Sequence, residues 1–134
     1  MTLVGRAAVL VCAACVLAAL TAAIHPRAPR LRATHPAITL DSVPANVLWI
    51  DARPAAKYAD GCIPGAVNVS EDAWIDGVER LLTVGLDQRQ LVVYCDTRTC
   101  PAAAEIAARL ERELGIAGIR ILDGGWHTWS AARR

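Results

Sequence analysis

From residue 37 onward, short apolar runs alternate with stretches of helical spacing, and that alternation leaves few architectures open. Residues 47–50 form a short buried-strand candidate that closes on Asp51. Residues 66–69 form another, announced by the turn signal Ile63-Pro64-Gly65. The clearest strand is 91–94, and 119–122 is a further one. Between them, residues 54–59, 72–84 and 101–114 have helical spacing. In the last of these Ile106, Leu110 and Leu114 recur every four residues and Gly115 supplies the stop. Strands and helices in this order predict an α/β fold with a mostly parallel sheet flanked by helices on both faces. No internal repeat is visible.

The start of the chain is different. Residues 7–24 carry no charge, and a helix of that length is roughly 27 Å long, enough to cross a hydrocarbon core. The expectation is a single transmembrane helix within residues 1–25, anchoring the protein as a single-pass membrane protein. The competing reading is a cleaved signal peptide, with Arg6 in the basic head and small residues at 21–23; the length of the apolar run favours the anchor. A lipoprotein anchor on Cys15 is the weaker reading, because Cys12 stands where an aliphatic residue is wanted. Arg27, Arg30 and Arg32 follow the span, which favours a cytoplasmic domain, whereas an ordinary export signal would place it outside; both orientations stay open here. Residues 26–36, with three prolines and three arginines, read as a solvated linker, leaving 37–134 for the folded domain.

Charge excludes some classes. The 134 residues carry a net charge of +1, with acidic and basic residues interspersed beyond Asp41, so there is no nucleic-acid footprint. Phe is absent, so the core is expected to be built from Ala, Val, Leu and Ile. Five cysteines without regular spacing do not make the disulfide framework of a small secreted scaffold. No two C-x-x-C elements pair up, and no His lies near a Cys at zinc spacing, so neither a metal site nor a cofactor is expected.

Among the cysteines, Cys95 is placed for chemistry. It ends the strand 91–94, and ligands of open α/β sheets bind beyond the carboxyl ends of the strands. After it comes the loop Asp96-Thr97-Arg98-Thr99-Cys100, and then Pro101, which suits a first helical turn because no N–H is needed there. A thiol facing a helix N-terminus, with backbone N–H groups curling round it, is stabilised as the thiolate and can hold an anion beside it. The alternative is a small buried residue that merely ends a strand.

Four segments then resemble the rhodanese family. Trp49-Ile50-Asp51-Ala52-Arg53 with Tyr58, followed by Gly61-Cys62-Ile63-Pro64-Gly65-Ala66-Val67-Asn68-Val69, is similar to the family's paired opening motifs. Val92-Val93-Tyr94-Cys95 resembles its active-site strand, and Leu122-Asp123-Gly124-Gly125-Trp126 with Trp129 its closing motif. The resemblance implies a rhodanese-like domain and sulfur transfer. Cys95 would take a sulfane sulfur from a small donor such as thiosulfate or a persulfide, and pass it to a thiol or protein acceptor. It further implies that Asp96, Thr97, Arg98, Thr99 and Cys100 form the loop whose amides cradle the donor anion, with Asp51 and Arg53 as supporting residues.

Two departures stand out. The family loop commonly has a Gly in its middle and a basic residue at its end, where this chain has Arg98 and Cys100; Cys62 stands where His is usual and is read as inert. A thiol at position 100 would be able to attack a persulfide on Cys95 and close a disulfide; its other reading is a buried helix-start residue packed on the sheet. A thiol–disulfide redox domain and a non-catalytic membrane adaptor are therefore the competing functions. Related phosphatases need an Arg at the end of a loop one residue longer, and no Arg stands five or six residues after Cys95. His127 and the charged residues Glu105, Arg109, Glu111, Arg112 and Glu113 read as solvated helix surface.

Overall fold

The computed structural model describes residues 35–133, apart from Gln88 and Thr99. The predicted membrane segment, with Cys12 and Cys15, and nearly all of the linker lie outside the described residues. Among those described, no helix is long and apolar enough to cross a membrane.

Thr34–Arg134 form one compact unit. Its strands are β1 (Ala37–Ile38), β2 (Val47–Asp51), β3 (Val67–Asn68), β4 (Gln90–Tyr94) and β5 (Arg120–Leu122). The helices are α1 (Ala55–Asp60), α2 (Trp74–Val84), α3 (Ala102–Leu114) and α4 (Gly125–Ala131), with a 3-10 turn at Leu40–Ser42. All neighbouring strands run parallel, in the order β1-β5-β4-β2-β3. β4 is central, pairing Leu48 with Leu91 and Asp51 with Tyr94 on one side, and Val93 with Ile121 on the other. The carboxyl ends of β2 and β4 therefore lie side by side, which puts Asp51, Tyr94 and Cys95 together.

Strand alternation sorts β4 into two layers. Leu91, Val93 and Cys95 join one core with Leu48, Ile50 and the inner faces of α2 and α3; Val92 and Tyr94 join the other with Ile63 and Leu122. Helix α3 earns its place through Ala103, Ile106, Ala107 and Leu110, all buried, and ends at Gly115 in the left-handed region (φ 67°), whose N–H bonds the Glu111 carbonyl. Helix α2 buries Trp74, Gly77 and Leu81. Gly77 lets it approach the sheet closely: a Cβ there would sit 2.9 Å from the Asn68 carbonyl oxygen and from the Val69 Cα.

The four strands and three helices expected from the sequence are present, with ends shifted by one or two residues. Two elements carried too little periodic signal to be delimited. β1 is two residues long and is fixed by its partner: the Ile121 N–H bonds the Pro36 carbonyl and the Asp123 N–H bonds that of Ile38. α4 is short, and its packing rests on two tryptophans, Trp126 and Trp129, stacked at 5.3 Å between centroids.

Candidate functional site

Cys95 follows the last residue of β4 and is 4% exposed. Its side chain is not a free thiol here: it is joined by a disulfide to Cys100, across a Cα separation of 6.1 Å. Cys100 is half-buried and packs against the same core as Cys95, one residue before Pro101 and the start of α3. It is thus a packed residue beside a helix start, as one reading had it, but a covalently bonded one. Cys62 is free and half-buried.

The backbone of Cys95 is held from the far side of the loop. The Trp126 N–H donates to the Cys95 carbonyl at 2.7 Å, and the His127 N–H to the Asp96 carbonyl at 3.1 Å. These donors come from the first turn of α4, whose amides have no partner within the helix. Gly125 makes the approach feasible. It takes φ 59°, and any Cβ on it would run into the Cys95 carbonyl oxygen.

Beneath the loop lies a buried ion pair. Asp51 is fully buried and Arg53 is 3% exposed. The guanidinium donates from Nη2 at 2.7 Å and from Nε at 3.0 Å to the two carboxylate oxygens, and the Arg53 backbone N–H adds a bond of 2.9 Å. Nη2 also donates to the Gly61 carbonyl at 2.7 Å, and the Tyr94 hydroxyl donates to Asp51 at 2.7 Å while accepting from the Ile63 N–H at 3.1 Å. Burial works against the charge on Arg53, but the hydrogen bond and field of Asp51 outweigh it and raise the guanidinium pKa. Burial first, and then the bond to Asp51, push the Tyr94 phenol well above its ordinary range, so it stays neutral. The Asn68 amide donates to the carbonyls of Asp51 and Arg53 at 3.0 and 2.8 Å. Asp51 and Arg53 thus tie β2, β3 and β4 together below Cys95, a scaffold role. Tyr94, Asn68 and the Trp126 amide belong to the same frame. The sequence marked Tyr94, Asn68 and Trp126 only as parts of motifs.

Two charged side chains of the loop are held in ion pairs. Arg98 is 75% exposed and makes a bidentate pair with Asp123, which raises the pKa of Arg98 and lowers that of Asp123. Asp96 pairs with Lys57 through one carboxylate oxygen, and Arg53 Nη1 lies 3.7 Å from the other. The Cys100 N–H points to the Thr97 carbonyl at 3.4 Å, closing the oxidised loop on itself. Thr99 lies outside the described residues. A cleft of about 230 Å³ opens beside Asp96, lined by Arg53, Lys57, Asp60, Gly61, Trp126 and His127. Trp126 forms one wall, stacked with Arg53, whose guanidinium carbon is 4.6 Å from the ring centroid. A larger hollow of about 640 Å³ lies between α1, β3 and α2 and is lined by neither Cys95 nor its loop, so position rather than size makes the cleft beside Asp96 the candidate. Among the described residues no group of His, Cys, Asp and Glu is placed to hold a metal ion.

A parallel sheet in this order, with a cysteine at the carboxyl end of its central strand and a helix starting just beyond, is the α/β arrangement of a rhodanese-like domain, generally a sulfur-transfer or redox-related fold. The chain belongs to the rhodanese-like domain family, whose model matches residues 40–132. It is 32% identical over 87 residues to the HTH-type transcriptional regulator Rv0324 of Mycobacterium tuberculosis, an alignment covering 65% of this chain and 36% of the regulator. Its fold is similar to that of the BH2092 protein from Bacillus halodurans (TM-score 0.55, 24% identity, 66% of this chain and 61% of that one). It is also similar to a rhodanese-related protein from Thermoplasma volcanium (TM-score 0.51, 17% identity, 73% and 93%).

Proposed function

We propose that the domain is a sulfurtransferase or sulfane-sulfur carrier in which the Cys95 thiolate, once the disulfide is reduced, takes up a sulfur atom as a persulfide and hands it to a thiol or other nucleophilic acceptor. The observation that carries this is the position of Cys95, at the end of the central strand with the N-terminal end of α3 just beyond the loop. Partial positive charge at a helix N-terminus favours both the attacking thiolate and the persulfide anion that replaces it. Backbone amides of Asp96, Thr97, Arg98, Thr99 and Cys100 are the donors proposed to receive the substrate in the reduced loop. A persulfide monoanion suits this site better than the thiosulfate dianion, because Arg98, the cation within the loop, is committed to Asp123.

Intact mass spectrometry of the reduced fragment starting at Thr34 tests the reading. With a polysulfide or thiosulfate donor, wild type and Cys100→Ser should be compared with Cys95→Ser. A gain of one sulfur on Cys100→Ser that is absent from Cys95→Ser and reversed by a reductant is the expected result; no gain in any of the three removes sulfur transfer from consideration.

We further propose that the uncharged segment 7–24 holds this domain at a membrane, with the side not specified.

A further inference from the structure

The disulfide between Cys95 and Cys100 lies in the loop that the sulfur reading makes reactive, and Cys100 takes the last position of that loop. We infer that Cys100 is a second catalytic thiol, which cleaves the persulfide formed on Cys95 to release hydrogen sulfide, so that the domain reduces sulfane sulfur as well as carrying it. The inference rests on the persulfide reading and adds a second step to it.

The bonded pair shows that the backbone of this fold brings the Cys100 sulfur into bonding contact with Sγ of Cys95, the inner sulfur of a Cys95 persulfide. The Cys100 thiolate attacks that inner sulfur. A bond forms between the two Sγ atoms and the bond to the outer sulfur breaks; the outer sulfur takes up the proton that the Cys100 thiol gave up and leaves with the bonding pair as hydrosulfide. Two electrons pass from the cysteine sulfurs to the sulfane sulfur, so the cysteines end as the disulfide seen here. Hydrosulfide is a weakly basic leaving group, which favours this direction. Packing supports the step, because Cys95 and Cys100 sit against one buried cluster with Ala103 and Ile106.

An external dithiol then restores the site and is itself oxidised to a disulfide. It enters at Cys100, which is half-buried, whereas Cys95 is 4% exposed. Cys95 is the leaving group and departs as the thiolate at the N-terminal end of α3, ready for another donor.

The experiment is a single turnover without oxygen. Reduced wild-type protein, Cys100→Ser and Cys100→Ala, freed of reductant, each receive one equivalent of glutathione persulfide. Sulfide release and intact mass are followed in time. Both variants should keep one added sulfur on Cys95. The wild type should release about one sulfide per chain and lose two hydrogens, at least ~10-fold faster than either variant releases sulfide. If the variants load and the wild type holds its sulfur as long as they do, Cys100 is no resolving thiol, and the carrier reading alone survives. If none of the three loads, both readings fall together.

Discussion

Asp51 is the residue on which the site's foundation depends. Fully buried, it accepts bonds from the Arg53 side chain and backbone and from the Tyr94 hydroxyl, so its charge is matched on all sides. Removing one member of such a pair leaves the other charged and unpaired inside the protein, which costs about 3–5 kcal/mol. Asp51→Ala should therefore lower the unfolding free energy of the reduced fragment by about that amount in urea titration. A loss below ~1 kcal/mol would mean that Arg53 finds other partners and that the pair is not the keystone described here. The contrast with Arg98 is informative. Its pair with Asp123 is well formed but lies on the surface, where water competes for both charges, and little stability is expected from it. The Arg98 pairing matters for the site because it commits the guanidinium to Asp123.

At the scale of elements, two glycines set how closely helices approach the sheet. Gly77 seats α2 against the backbone of residues 68 and 69, where a methyl group would need the sheet or the helix to move. Gly77→Ala should cost about 1–3 kcal/mol, the usual penalty of overpacking, measurable as a lower urea midpoint. A midpoint equal to that of wild type would show that α2 can slide outward freely. Gly125 does the same for α4 against Cys95, with a positive φ added. These contacts are not visible in the hydrophobic pattern. A glycine inside a helical stretch reads as a weakness until the neighbouring backbone is located. The strands and helices themselves were legible because β2, β4, α2 and α3 are long enough for their periods to show. β1 and α4 were not, since two residues, or a helix packed through stacked indoles, leave no period to find.

At the scale of the whole molecule, the proposed anchor predicts how the chain partitions between membrane and solution. If the segment 7–24 anchors it, the full chain should sediment with membranes and resist carbonate extraction, while the fragment from Thr34 stays in the supernatant. Recovery of the full chain in the carbonate supernatant would overturn the anchor. A reporter fused to the C-terminus would then assign the side.

The order of strands and helices, the parallel sheet, and the placing of Cys95 at a strand end were determined by the sequence alone, because each follows from local periodicity and from turn residues close along the chain. Asp51 and Arg53 were marked as supports by the motif they share. Their joint bond network with Tyr94, Asn68 and Gly61 needed the tertiary structure, since β2, β3 and β4 bring those residues together from distant parts of the chain. The same is true of the Trp126 amide on the Cys95 carbonyl and of Asp123 on Arg98. For Cys100 the sequence supplied two readings, packed residue or reactive partner. The fold decided that its sulfur meets that of Cys95, because contact across a loop depends on how the chain turns between strand and helix, and spacing alone does not fix that turn.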